Sequence, residues 1–252
     1  ELLAKDDPLP IRAGDFVDYG AIQRLGPGAI LFVAMRARDD GDEVLARTML
    51  AEAVRREQGR YKSRAVALLG EALLAAGDGP GLVGLCRSEP GAELPPYRRS
   101  RLEAEGYVLS GSYAQALATI DSLRAANPVE AGRDAADIAA LAMEAGYKAG
   151  HGRWADEFTA IVAMEGSPAV YAALGRIIGL VASSGQAEAA MAIRAVGPKT
   201  FQLAEARALS GTREYGPAVI GFRRYAAGAE SPEAIAERVA GSAASGDATG
   251  DA

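Results

Sequence analysis

The residues able to do chemistry in this chain are few. It has one histidine, His151, and one cysteine, Cys86. A thiol beside an imidazole makes an activated nucleophile when the two meet. Here Cys86 shares an apolar helical face with Leu82 and Leu85, where a cysteine serves as a small hydrophobe. His151 lies between Gly150 and Gly152, in a turn roughly two helix pairs further along. It has no His-x-x-x-His or Glu-x-x-His neighbourhood from which to build a zinc site. Asp39, Asp40, Asp42 and Glu43 form an acidic knot without the alternate-residue spacing of a calcium loop, and Asp42 and Glu43 suit a helix start better. Gly77–Gly81 lacks the Gly-Lys-Ser/Thr ending of a phosphate cradle and reads as a long turn. No pair of carboxylates stands out as an acid–base couple. A catalytic site, a cofactor and a metal are therefore not expected.

Binding chemistry is easier to find. Arg98, Arg99 and Arg101 follow Tyr97 in the densest basic-aromatic cluster of the sequence, and Arg223-Arg224-Tyr225 is a second, weaker one. Arginine pairs bidentately with carboxylates, so an acidic ligand fits either place. The whole chain has a formal charge of −6, which argues against a nucleic-acid footprint. No window approaches the ~18 apolar residues of a membrane span, since Ala29–Ala34 is far too short. A single cysteine excludes a disulfide within the chain. The sequence begins at Glu1 without a methionine, so a processed, exported protein of a bacterial periplasm or cell envelope is slightly favoured over a cytoplasmic one.

The elements that must position these residues are helices. Strand-like alternation is almost absent. Hydrophobic residues make up 49% of the chain but aromatics only 6%, so much of the apolar content is alanine, which lets helices approach closely. Gly41, Gly77, Gly111, Gly150, Gly185 and Gly211 each fall between two helix-like runs, spaced by 36, 34, 39, 35 and 26 residues. Ser167-Pro168 and Ser231-Pro232 place a capping hydroxyl before a proline of the first turn, and Asp42 does the same service before Glu43. Ala46, Met49, Leu50, Ala53 and Val54 share one helical face, as do Val66, Leu69 and Leu73. Residues 1–18 are expected to be an extended lead-in, 19–240 the helical repeat domain, and 241–252 a flexible tail.

In the clearest unit, Tyr97 to Pro128, the residues Tyr107, Gly111, Tyr113, Ala116, Ile120, Leu123 and Pro128 fall at the spacings of the tetratricopeptide signature. The segment resembles that family, and the LSG triplets at 109–111 and 209–211 point to an internal duplication. The resemblance implies an all-α fold, an α-solenoid of about six degenerate antiparallel helix pairs in a right-handed superhelix. It further implies that Tyr97, Arg98, Arg101, Glu105 and Val108 line a concave groove holding a protein or peptide ligand, with an acidic or carboxylate-bearing one favoured by the arginines. An alternative likeness, of architecture alone, is to the helical N-terminal region of soluble lytic murein transglycosylases, which would make this chain the accessory part of a cell-wall-acting enzyme.

Overall fold

The computed structural model describes residues 28–211 and 215–247. It is 84% helical, with no strand among the described residues, as the sequence predicts. Among the described residues fourteen α-helices follow one another with sequential helix-pair packing. The chain divides into two compact units, Glu1–Thr119 and Ile120–Ala252, with the division inside the helix Tyr113–Ala126. The expected lead-in 1–18 lies outside the described residues.

The first unit holds α1 (Ala29–Asp39), α2 (Glu43–Arg56), α3 (Gly59–Ala75), α4 (Gly79–Arg87), a 3-10 turn (Pro90–Glu93), α5 (Pro96–Leu109) and the start of α6 (Tyr113–Ala126). Helix α2 packs between α1 and α3, and α4 packs closely on α5. The predicted face of α2 is buried throughout, from Ala46 to Val54: Ala46 packs with Ala37, and Met49, Leu50, Ala53 and Val54 meet Leu31, Val33, Val66 and Leu82 in one core. Removing a side chain of that size from water contributes about 1.5–3 kcal/mol.

The turn glycines explain the spacing read from the sequence. After α1, α3, α5 and α8 (Ala135–Lys148), Gly41, Gly77, Gly111 and Gly150 take left-handed φ values of 80, 68, 71 and 64°. In each turn the next residue's N–H reaches back to a carbonyl of the last helical turn: Asp42 to Ala37, Asp78 to Leu73, Ser112 to Tyr107 and His151 to Gly146, at 2.8–2.9 Å. That is the helix-ending motif for which glycine avoids a Cβ penalty. Capping follows at once, since Asp42 Oδ1 accepts the Leu45 N–H and Asp78 Oδ1 accepts the Gly81 N–H, both at 2.9 Å. One local device, repeated four times, thus turns a helix back on itself.

The second unit contains the end of α6, then α7 (Pro128–Arg133), α8, α9 (Arg153–Ala163), α10 (Pro168–Ser183), α11 (Gln186–Val196), α12 (Pro198–Gly211), α13 (Tyr215–Ala227) and α14 (Pro232–Asp247). Its core carries an aromatic row: Tyr147 meets Trp154 edge-on at 5.2 Å, Trp154 meets Phe158 at 6.2 Å, and Phe158 stacks on Phe201 at 5.8 Å. Ser167 and Ser231 cap α10 and α14 as predicted, accepting from the N–H groups of Val170 and Ala234. Pro128 both follows the end of α6 and opens α7.

The later helices depart from the regular plan. Gly211 is helical, and a Cβ placed on it would come within 2.3 Å of Tyr171 Cβ, so it is the approach of α10 that demands glycine there. Helix α11 packs more on α14 than on its chain neighbour α10, whereas α10 packs on α8 and α12. Helix α14 runs through Gly241 to Asp247, so the first part of the expected tail is helical; 248–252 lie outside the described residues.

Candidate binding groove

Both basic clusters singled out in the sequence can now be placed. On α5, Tyr97 and Arg98 are half-buried. Arg98 donates to Glu71 of α3, which also lies 4.0 Å from Arg38. Arg101 Nε donates to Glu105 Oε1 at 3.2 Å, one helical turn on. Val108 is buried, with 6% of its surface exposed. Helix α5 therefore gathers Arg98, Arg101 and Glu105 on one element, but these arginines already hold carboxylates of the same unit.

The neighbouring signature residues are structural in their surroundings. Tyr107 is buried, its hydroxyl taking a hydrogen bond from Arg87 and donating to Glu103 at 3.3 Å. Burial, with the Glu103 charge beside it, pushes the phenol's pKa up. Ala116, Ile120 and Leu123 are buried, and Tyr113 opens α6 half-buried.

In the second unit α10, α12, α13 and α14 enclose a groove of about 860 Å³. Helix α12 supplies the floor through Ala208 and Leu209. One wall is the α10 face Ala172, Gly175, Gly179 and Ala182; the other is Pro217, Ile220, Gly221 and Arg224 of α13. The wall spacings of three and four residues mark a single face of each helix. Of α13's apolar side chains, Ile220 is 51% exposed and Phe222 40%. Gly221 lets α13 lie against Ala206 of α12, and Lys199 stands 5.3 Å over the Tyr225 ring, so α13 is pinned along one stripe only.

The electrostatics of the groove are uneven. Arg238 is held by Glu205 and by Glu230 at 3.3 Å, with Arg224 3.9 Å from Glu230. Arg176, on the α10 wall, is exposed and pairs with no carboxylate among the described residues. The groove thus offers apolar surface with an unneutralised guanidinium on its wall, suited to burying apolar side chains and pairing one carboxylate. Arg224 belongs to the weaker basic cluster named from the sequence; Arg223 beside it is exposed. Arg176 and the α10 face were missed. The signal was present in Ala172-x-x-Gly175-x-x-x-Gly179-x-x-Ala182, a helical stripe of small residues, but nothing local says whether such a stripe meets another helix or open space.

The remaining candidates are accounted for by packing and capping. Cys86 is buried, and desolvation, reinforced by the Glu103 charge, raises its thiol pKa to about 11. His151 is exposed and its Nδ1 accepts the Arg153 N–H at 3.3 Å, at the start of α9. Cys86 and His151 belong to different units. Asp40 pairs with Arg36 at 3.2 Å. Among the described residues no group of three or more His, Cys, Asp or Glu converges as a metal site, and no helix is long and apolar enough to cross a membrane. Comparison of the chain with protein-family models, with curated proteins and with solved structures gave no match.

Proposed function

We propose that this chain is a non-catalytic scaffold, a tetratricopeptide-like α-solenoid whose work is to hold a protein or peptide ligand in a groove between its helices. The observation that carries the reading is the groove of the second unit: a long apolar cleft walled by two helices, one of which, α13, is dressed on one side only. The fourfold recurrence of the glycine-closed turn supports the repeat part of the reading, because stacked helix pairs need the same reversal at each step. The burial of Tyr107, Ala116 and Ile120 and the left-handed Gly111 are in keeping with the roles that the resemblance implies for them.

A selection tests it. A phage-displayed library of random dodecapeptides is panned on the immobilised chain, and enriched peptides are measured in solution by fluorescence polarisation. A shared motif binding in the micromolar range is the expected result. Failure to enrich any sequence that binds in solution would contradict the scaffold reading.

A further inference from the structure

The groove has a shape with a physical origin. In a stack of helix pairs, each new helix is expected to lie against the pair before it. Helix α14 follows α13, yet it packs chiefly on α11 and secondarily on α10, with only a marginal contact to α12. Among the described residues, the place beside α12 and α13, where the next helix of an array belongs, is left open. Its α10 wall runs from Pro168 to Ala182, about 21 Å at about 1.5 Å rise per residue, or roughly four helical turns.

Resting on the scaffold reading, we infer that this groove receives one amphipathic α-helix of a partner protein, about four turns long, with an apolar stripe and an acidic residue directed at Arg176. Two observations converge on that occupant. The span between Pro168 and Ala182 is the length of a short helix rather than of a small molecule. Ile220 on the facing wall, 51% exposed, offers an apolar contact that no other helix of the second unit covers among the described residues. The sign of the charge follows from the carboxylates: Glu205 and Glu230 are engaged by Arg238, and Arg176 has none among the described residues. A basic helix would meet that guanidinium unfavourably, and a purely apolar one would leave it without a partner.

The test uses the full chain and the peptides enriched from the dodecapeptide library, extended to sixteen residues. Their helicity is read by isotope-edited infrared spectroscopy on binding, and affinities are measured against the wild-type chain, Gly179→Trp and Arg176→Glu. No heavy atom lies within 4 Å of a Cβ built at Gly179, so a side chain placed there starts into open space and a tryptophan occupies the groove. Circular dichroism of both variants controls for folding. The expected result is a peptide that turns helical when bound, loses at least tenfold in affinity to each variant, and regains affinity for Arg176→Glu when its acidic residue is changed to arginine.

An extended bound peptide, or a basic one that also loses affinity to Gly179→Trp, overturns the acidic-helix inference and leaves the scaffold reading standing. Peptides indifferent to Gly179→Trp overturn this site and move the scaffold's surface elsewhere. Self-association in sedimentation velocity that Gly179→Trp abolishes replaces the partner helix by a second copy of the chain and likewise overturns the inference. Absence of any enriched peptide removes both readings together.

Discussion

The hairpins closed by Gly41, Gly77, Gly111 and Gly150 and the C-terminal helices α10–α14 are built from similar helices to different ends. In the first set each reversal is made by the same left-handed glycine, and the arginines of α5 face carboxylates of their own unit. In the second, α14 turns to α11, and among the described residues α13 keeps an uncovered apolar side and Arg176, on the groove wall, pairs with no carboxylate. Regular packing consumes the surface it creates, so a site for a ligand arises where the regularity lapses.

The sharpest contrast expected is between two phenylalanines. Phe158 is fully buried between Trp154 and Phe201, and Phe158→Ala is expected to cost about 3–5 kcal/mol in denaturant unfolding followed by Trp154 fluorescence. Phe222→Ala, on the 40% exposed side of α13, is expected to cost less than about 1 kcal/mol. Equal losses would mean that α13 is covered after all.

Two glycines should respond with opposite sign. Gly41→Ala forces a side chain into φ 80° and is expected to cost about 1–2 kcal/mol. Gly179→Ala, in the middle of a 16-residue helix with open space around its Cβ, is expected to stabilise by about 0.5–1 kcal/mol. Thermal melts of the two variants beside wild type decide the matter, and a destabilised Gly179→Ala would show that something of this chain already fills the groove.

The two basic clusters can be set against each other in the same way. Arg98→Glu with Arg101→Glu breaks exposed or partly exposed ion pairs, so unfolding stability is expected to fall by less than about 1 kcal/mol per pair. Affinity for a groove peptide is expected to change less than about twofold, against about tenfold, or 1.4 kcal/mol, for Arg176→Glu. The reverse order would return the site to α5.

The smallest effect concerns charge in the regular part. Asp121 accepts from Arg153, which lowers its carboxyl pKa, and Glu157 joins the network at 3.4 Å from Arg153 and 2.6 Å from Arg124. A carboxyl whose folded pKa is depressed adds stability above its unfolded value, and that stability is lost as pH falls through the folded value. Because Asp121 is half-exposed, the loss on acidification below about pH 4 should stay under about 1 kcal/mol. Arg153→Met should raise the Asp121 carboxyl pKa in an NMR titration and remove this part of the acid sensitivity.

The all-helical character, the helix starts at Asp42, Ser167 and Ser231 and four of the turns were legible in the sequence because each is decided locally, by Gly41 or Ser167 and the few residues around it. The α2 face was legible because its period matches its burial. The groove was not. That Arg98 is neutralised by Glu71, 27 residues away, and that α14 passes by α13 to reach α11, are long-range outcomes that no local pattern encodes. Gly211 shows the same limit: its position at a helix end was readable, but its reason, the approach of Tyr171, was not.

The most direct test of the groove is hydrogen–deuterium exchange by mass spectrometry on the full chain, with and without the enriched acidic peptide. Slowed exchange confined to α13, from Val219 to Tyr225, and to the Gly175–Ala182 stretch of α10 is the result expected. Slowing along Tyr97–Val108 of α5, with α13 unchanged, would contradict it.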